Sequence, residues 1–69
     1  GYFVYFRKAD NQTIMCVVNS NDKAQDVQFS DYAELTNGFK GGKEVVTGYQ
    51  VGAQFSIPAK QIWIIELNK

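Results

Sequence analysis

Gln61-Ile62-Trp63-Ile64-Ile65-Glu66-Leu67 is the stretch that decides the fold. At the two-residue period of a β-strand, Trp63, Ile65 and Leu67 share one face and Ile62 and Ile64 share the other. A sheet with one wet side alternates apolar with polar, so a strand that is apolar on both sides must be covered on both. Two segments upstream read the same way. In residues 13–18, Ile14, Cys16 and Val18 oppose Met15 and Val17, and in residues 2–7, Val4 and Phe6 oppose Phe3 and Tyr5.

Turn chemistry separates these segments. Ala9-Asp10-Asn11-Gln12 predicts a hairpin between the first two strands, and Asn19-Ser20-Asn21-Asp22 closes the second. Val27 and Phe29 share a face in residues 26–29. Residues 30–35 break the pattern, and Ser30 is expected to cap a single helical turn with Asp31 and Glu34 near its N-terminus. Asn37-Gly38 would end that turn, and Gly41-Gly42 reads as a further turn before a strand over 43–47. Val51, Ala53, Phe55 and Ile57 alternate with Gly52, Gln54 and Ser56 as one half-buried strand that Pro58 terminates. The expected fold is an all-β, small antiparallel two-sheet sandwich, Greek-key-like, with at most one short helical turn near 30–36.

A chain of 69 residues makes a single domain. A domain this small hides only about 60% of the surface its unfolded form exposes. Disulfides or metals often compensate, but the one cysteine, Cys16, has no partner and there is no histidine to complete a zinc site. The doubly apolar strands point instead to a neighbouring domain. Gly1 in place of methionine reads as a tag-cleavage scar, so residues 1–69 are expected to be an accessory domain excised from a longer chain. Such a piece should expose an apolar face through which it self-associates.

Composition narrows the partners. Seven basic and seven acidic residues cancel and are dispersed, so no basic footprint for nucleic acid is present. No apolar run approaches the roughly 18 residues of a membrane helix. Neither nucleic acid nor membrane is an expected partner.

The order of three motifs resembles a known module. Tyr5-Phe6-Arg7-Lys8, a polar turn and Thr13-Ile14-Met15-Cys16-Val17-Val18-Asn19 form its opening hairpin. Glu44-Val45-Val46-Thr47-Gly48 is similar to its acidic-apolar-Thr-Gly strand and turn. Phe55-Ser56-Ile57-Pro58, a short linker and the closing strand complete it. The module is the C-terminal β-sandwich of α-amylase-family (family 13) glycoside hydrolases, of the neopullulanase and cyclomaltodextrinase branch. The stretch 30–39 is longer and more helical than in the tightest members.

The resemblance implies that α-glucan chemistry belongs to an upstream (β/α)8 barrel in the same parent chain. Retaining hydrolysis needs two carboxyl groups about 5 Å apart across the scissile bond, and those sit on the barrel. No catalytic, cofactor-binding or metal-ligating role passes to any residue here. The implied role is to pack against the barrel and stabilise it, with Phe3, Tyr5, Met15, Val17, Ile62 and Ile64 as candidate docking residues. An extracytoplasmic home is implied by the resemblance alone.

Other candidate chemistry has simpler readings. Asp31 and Glu34 suit a helical N-terminus better than acid–base work. Gly41-Gly42-Lys43 fails as a phosphate loop because Glu44 stands where Ser or Thr is needed and Asn37 where the first glycine belongs. Cys16 lacks a histidine to activate it and reads as a small buried filler. Asn19, Asn21 and Asp22 could offer oxygens to calcium, but turn formation accounts for them. Tyr32, Phe39 and Tyr49 lie outside the strand faces and could stack sugars, which leaves a starch- or malto-oligosaccharide-binding module as the alternative. A standalone interaction sandwich is a third reading.

Overall fold

The computed structural model describes residues 1–69. In chain order the elements are β1 (Tyr2–Ala9), β2 (Gln12–Asn19), β3 (Gln25–Gln28), a 3-10 turn (Phe29–Tyr32), α1 (Ala33–Thr36), β4 (Gly41–Glu44), β5 (Gln50–Gly52), β6 (Gln54–Ile57) and β7 (Gln61–Asn68). They build two antiparallel sheets. The larger has the order β1-β2-β7-β4-β5, and β3 pairs with β6 in a two-stranded ribbon. The chain is an all-β sandwich, as its strand periodicity predicts.

The β1–β2 hairpin closes through Asp10 and Asn11, pairing Ala9 with Gln12 and Tyr2 with Asn19. Asp10 takes φ +54, a left-handed conformation that its short polar side chain tolerates. β7 then pairs with β2, setting Cys16 opposite Ile64 and Val17 opposite Trp63. Because cross-strand partners share a face, this register assigns every side chain of the three long strands to one side. Met15, Val17, Ile65 and Leu67 point inward and meet Val27, Phe29 and Ile57 from the ribbon side, with Val51 completing the core. Full burial of one such side chain contributes about 1.5–3 kcal/mol, and these eight are the main source of cohesion.

Buried polar residues staple the layers. Asn19 is only 1% exposed, and its amide nitrogen donates to the carbonyls of Lys23, Ile57 and Pro58 at 3.0–3.2 Å. Its oxygen accepts the Asn21 N–H at 3.1 Å. Asn19 is therefore the joint between β2, the loop after it and the β6–β7 corner. Thr36 is likewise buried and donates to the Phe29 carbonyl at 2.7 Å, holding the end of α1 to the first residue of the 3-10 turn.

Four local expectations change. The helical segment begins at Phe29, with Gln28 in the capping position and no side-chain cap, so Ser30 lies inside the 3-10 turn. Asn37 and Gly38 do end the turn, with Asn37 in the capping position after Thr36 and Gly38 at φ +90. Gly41 and Gly42 are strand residues, not a turn. A Cβ on Gly41 would stand 2.4 Å from the Val51 carbonyl oxygen, and one on Gly42 2.6 Å from Ile65 Cγ2, so their bareness admits β4 between β5 and β7. The strand placed at 43–47 stops at Glu44. Finally, the alternating run 51–57 is two strands: β5 ends at Gly52 in the large sheet, and β6 starts at Gln54 in the ribbon. Between them the Ala53 carbonyl accepts the Phe29 N–H at 2.8 Å.

Candidate functional site

Two surfaces stand out, and they lie on opposite sides of β7. Ile62 and Ile64 project outward, away from the ribbon. Across the register they join Val18 and Cys16 of β2, then Phe3 and Tyr5 of β1. Phe3 is 56% exposed, Tyr5 48%, Ile62 66% and Ile64 38%, a band of large apolar side chains with nothing over it. Phe3 and Tyr5 stack with ring centroids 6.0 Å apart. Tyr5, Ile14, Cys16 and Ile64 line a shallow depression of about 360 Å³ in this face.

Four of the six expected docking residues, Phe3, Tyr5, Ile62 and Ile64, lie on this outer face. Met15 and Val17 do not: both are fully buried in the core, paired with Ile65 and Trp63. Val18 and Cys16 take their places. The grouping within each strand is right and the grouping between strands is one residue out, which moves a strand's side chains to the opposite face. The two-residue Asp10-Asn11 turn carries the missing signal, since pairing Ala9 with Gln12 puts Phe3 beside Val18 and Tyr5 beside Cys16.

The second surface is an open cleft of about 520 Å³ between the β4–β5 turn and the β6–β7 corner. Thr47, Tyr49, Ser56, Pro58, Gln61 and Trp63 contribute to its walls. Its turn is shaped by Glu44, which is 2% exposed. Glu44 Oε1 accepts the N–H groups of Val46 and Thr47 at 2.9 and 2.8 Å and the Thr47 hydroxyl at 3.1 Å. Oε2 accepts the Ile64 N–H at 3.1 Å. Burial pushes this carboxyl up, but the hydrogen bonds from Thr47, Ile64 and Val46 outweigh it and hold it below its ordinary value. Gly48, with φ +79, completes the turn by donating to the Glu44 carbonyl at 2.8 Å.

The three loop aromatics do not form one platform. Tyr32 is half-buried, with its hydroxyl 3.4 Å from that of Tyr2 and its ring 5.8 Å from Phe6. Burial and this Tyr32 contact raise the Tyr2 phenol above the ordinary tyrosine range. Phe39 packs against the core with the Lys69 ammonium 6.0 Å from its ring centre. Only Tyr49 is a largely exposed ring, and it faces Trp63 at 5.5 Å. Trp63 is half-buried and belongs to both the core margin and the cleft.

No other cluster of chemistry assembles. Asp31 and Glu34 lie exposed on the helical segment. Lys43 follows two strand glycines and no phosphate loop exists there. Both polar ends of the Asn19 side chain are committed to backbone groups. Cys16 is buried on the outer face beside Ile64 and Tyr5.

A family model described as the cyclo-malto-dextrinase C-terminal domain matches residues 1–66. The chain belongs to that family. Comparison with curated proteins and with solved structures finds no match. Membership agrees with the antiparallel two-sheet fold and is consistent with an accessory domain of the cyclomaltodextrinase-type, α-amylase-family glycoside hydrolases.

Proposed function

We propose that this cyclomaltodextrinase C-terminal domain packs its outer sheet face against the catalytic domain of the same parent chain and stabilises it. The observation that carries the reading is the uncovered apolar band of Phe3, Tyr5, Ile62 and Ile64 on a sheet whose other face is already closed by the ribbon. Solvated sheet faces are normally polar, and a contiguous apolar one marks a contact surface. Family membership supports the catalytic domain as the occupant, because the family is described as the C-terminal domain of an enzyme.

The energetic scale is adequate. Covering one large apolar side chain contributes up to about 1.5–3 kcal/mol, so four partly exposed ones supply several kcal/mol. The shallow depression at Tyr5, Ile14 and Ile64 gives that contact shape as well as area. Removing residues 1–66 from the parent enzyme is expected to lower its Tm by several degrees while leaving the catalytic carboxylates in place. A parent of undiminished stability after the deletion would overturn the reading.

A further inference from the structure

The cleft beside Trp63 is not needed for docking. Gln61 and Trp63 alternate with Ile62 and Ile64, so the cleft opens on the side of β7 away from the proposed interface. Its volume of about 520 Å³ falls within the range of small-molecule sites. None of its lining residues carries a charge, and the Lys43 side chain runs past Gly48 at the rim and is not part of the wall.

Its rings are held in place. Phe55 stacks on Trp63 at 5.9 Å with an interplanar angle of 11°. The indole N–H donates to Gln61 Oε1 at 2.8 Å. Tyr49 stands at 57° to the indole, forming an open angle between two aromatic surfaces. The Tyr49 backbone N–H donates to Thr47 Oγ1 at 3.2 Å, and Thr47 is fixed in turn by Glu44. A rigid aromatic site loses little conformational entropy when it binds.

Around these rings, hydrogen-bonding capacity is left over. With Oε1 committed to Trp63, the Gln61 amide nitrogen has no partner within the chain, and neither do the hydroxyls of Ser56 and Tyr49. The ligand that suits this wall is neutral, has one apolar face and carries hydroxyls around its rim. A pyranose has that form: its C–H face is weakly positive and complements the negative face of an aromatic ring. Its hydroxyls can accept from Gln61 and exchange hydrogen bonds with Ser56 and Tyr49.

We propose that the Tyr49–Trp63 cleft is a binding site for a neutral pyranose sugar, with Tyr49 as the stacking platform and Gln61 and Ser56 as its polar contacts. The site differs from the trio Tyr32, Phe39 and Tyr49 in keeping only the last of them.

The test is a 1H–15N NMR titration of the 69-residue chain with maltotriose and, separately, with cellotriose. The Trp63 indole N–H and the amides of Gly48, Tyr49, Ser56 and Gln61 are expected to shift and saturate in the millimolar range with at least one of them. Response to one sugar alone fixes the linkage preferred. Tyr49→Ala is expected to weaken binding about tenfold. Gln61→Ala, at an exposed position, should weaken it too and serves if Tyr49→Ala disturbs the turn. Absence of shifts with both sugars, shifts confined to the Phe3, Tyr5 and Ile62 face, or unchanged affinity in both variants would overturn the proposal. Absence of shifts, or unchanged affinity in the variants, leaves docking untouched, because the docking residues point the other way.

Discussion

The Glu44 carboxylate accepts the backbone N–H of Ile64 at 3.1 Å, joining the last residue of β4 to the middle of β7. One residue on, the Val45 N–H donates to the Ile64 carbonyl at 2.9 Å. The same side chain therefore ends one strand, folds the turn that follows and anchors both to the central strand. Ile64 in turn presents its side chain to the outer face. A single residue pair thus links the turn that shapes the cleft to the sheet that offers the docking surface.

Glu44→Gln is expected to destabilise the domain by about 1–3 kcal/mol, because an amide replaces one acceptor oxygen with a donor facing backbone N–H groups. Chemical denaturation measures this directly. An unchanged midpoint would show that the turn holds without the carboxylate.

The same residue sets an acid limit. The folded-state carboxyl of Glu44 titrates below its ordinary value of 4.5. Its contribution is then fully present above the unfolded pKa and is lost as pH falls through the lower folded one. Stability should decline below about pH 4.5, and Glu44→Gln should flatten that decline. Thermal melts of both proteins across the acid range provide the check, and parallel curves would assign the decline to other carboxylates.

Asn19→Ala removes the donor that three carbonyls share at the β6–β7 corner. The carbonyls of Ile57 and Lys23 lose a buried partner, at a cost of about 1–3 kcal/mol. Hydrogen exchange should report earlier opening of the corner amides after Pro58. Protection that matches the unmodified domain would mean that water replaces the side chain without loss.

Gly41→Ala places a methyl group 2.4 Å from the Val51 carbonyl oxygen, a backbone atom that cannot rotate away. Either β4 or β5 must shift, and a loss of about 1–3 kcal/mol is expected. Gly52→Ala is the matched control, since its Cβ would meet nothing within 4 Å. Equal stabilities for the two variants would contradict the close approach.

Ile62→Lys and Ile64→Lys separate docking from folding. Ile62 is 66% exposed in the domain, so charging it should change the domain's own stability by no more than about 0.5 kcal/mol. In the parent enzyme the same pair should lower Tm markedly, because a lysine would be buried unpaired at the interface. A parent that tolerates both would exclude this face as the contact.

Much of the architecture is legible in the chain. Alternation within residues 2–7, 13–18 and 61–67 sorts each strand into two apolar faces, and the Asp10-Asn11 turn sets the first hairpin. What alternation does not carry is sheet membership. Residues 51–57 keep period two without interruption, yet the bend at Ala53 hands the chain from one sheet to the other, and a bend of one residue leaves the pattern intact. Val45 and Val46 are β-branched and read as strand, but Glu44 captures the N–H groups at 46 and 47 and makes a turn of them. Gly41 and Gly42 read as a turn because glycine favours turns, and form strand because only a bare backbone fits between β5 and β7.

The candidate surfaces divide in the same way. The sequence by itself determined that three strands carry apolar side chains on both faces. Only the tertiary structure decided which residues share a face, by pairing Cys16 with Ile64 and so sending Met15 and Val17 inward. It alone brought Tyr49 to Trp63, since the contact depends on the turn built by Glu44 and on the β6–β7 corner held by Asn19. Period and turn chemistry are local and survive in one dimension. Register and the meeting of distant loops arise from long-range hydrogen bonds, which a strand's own pattern does not encode.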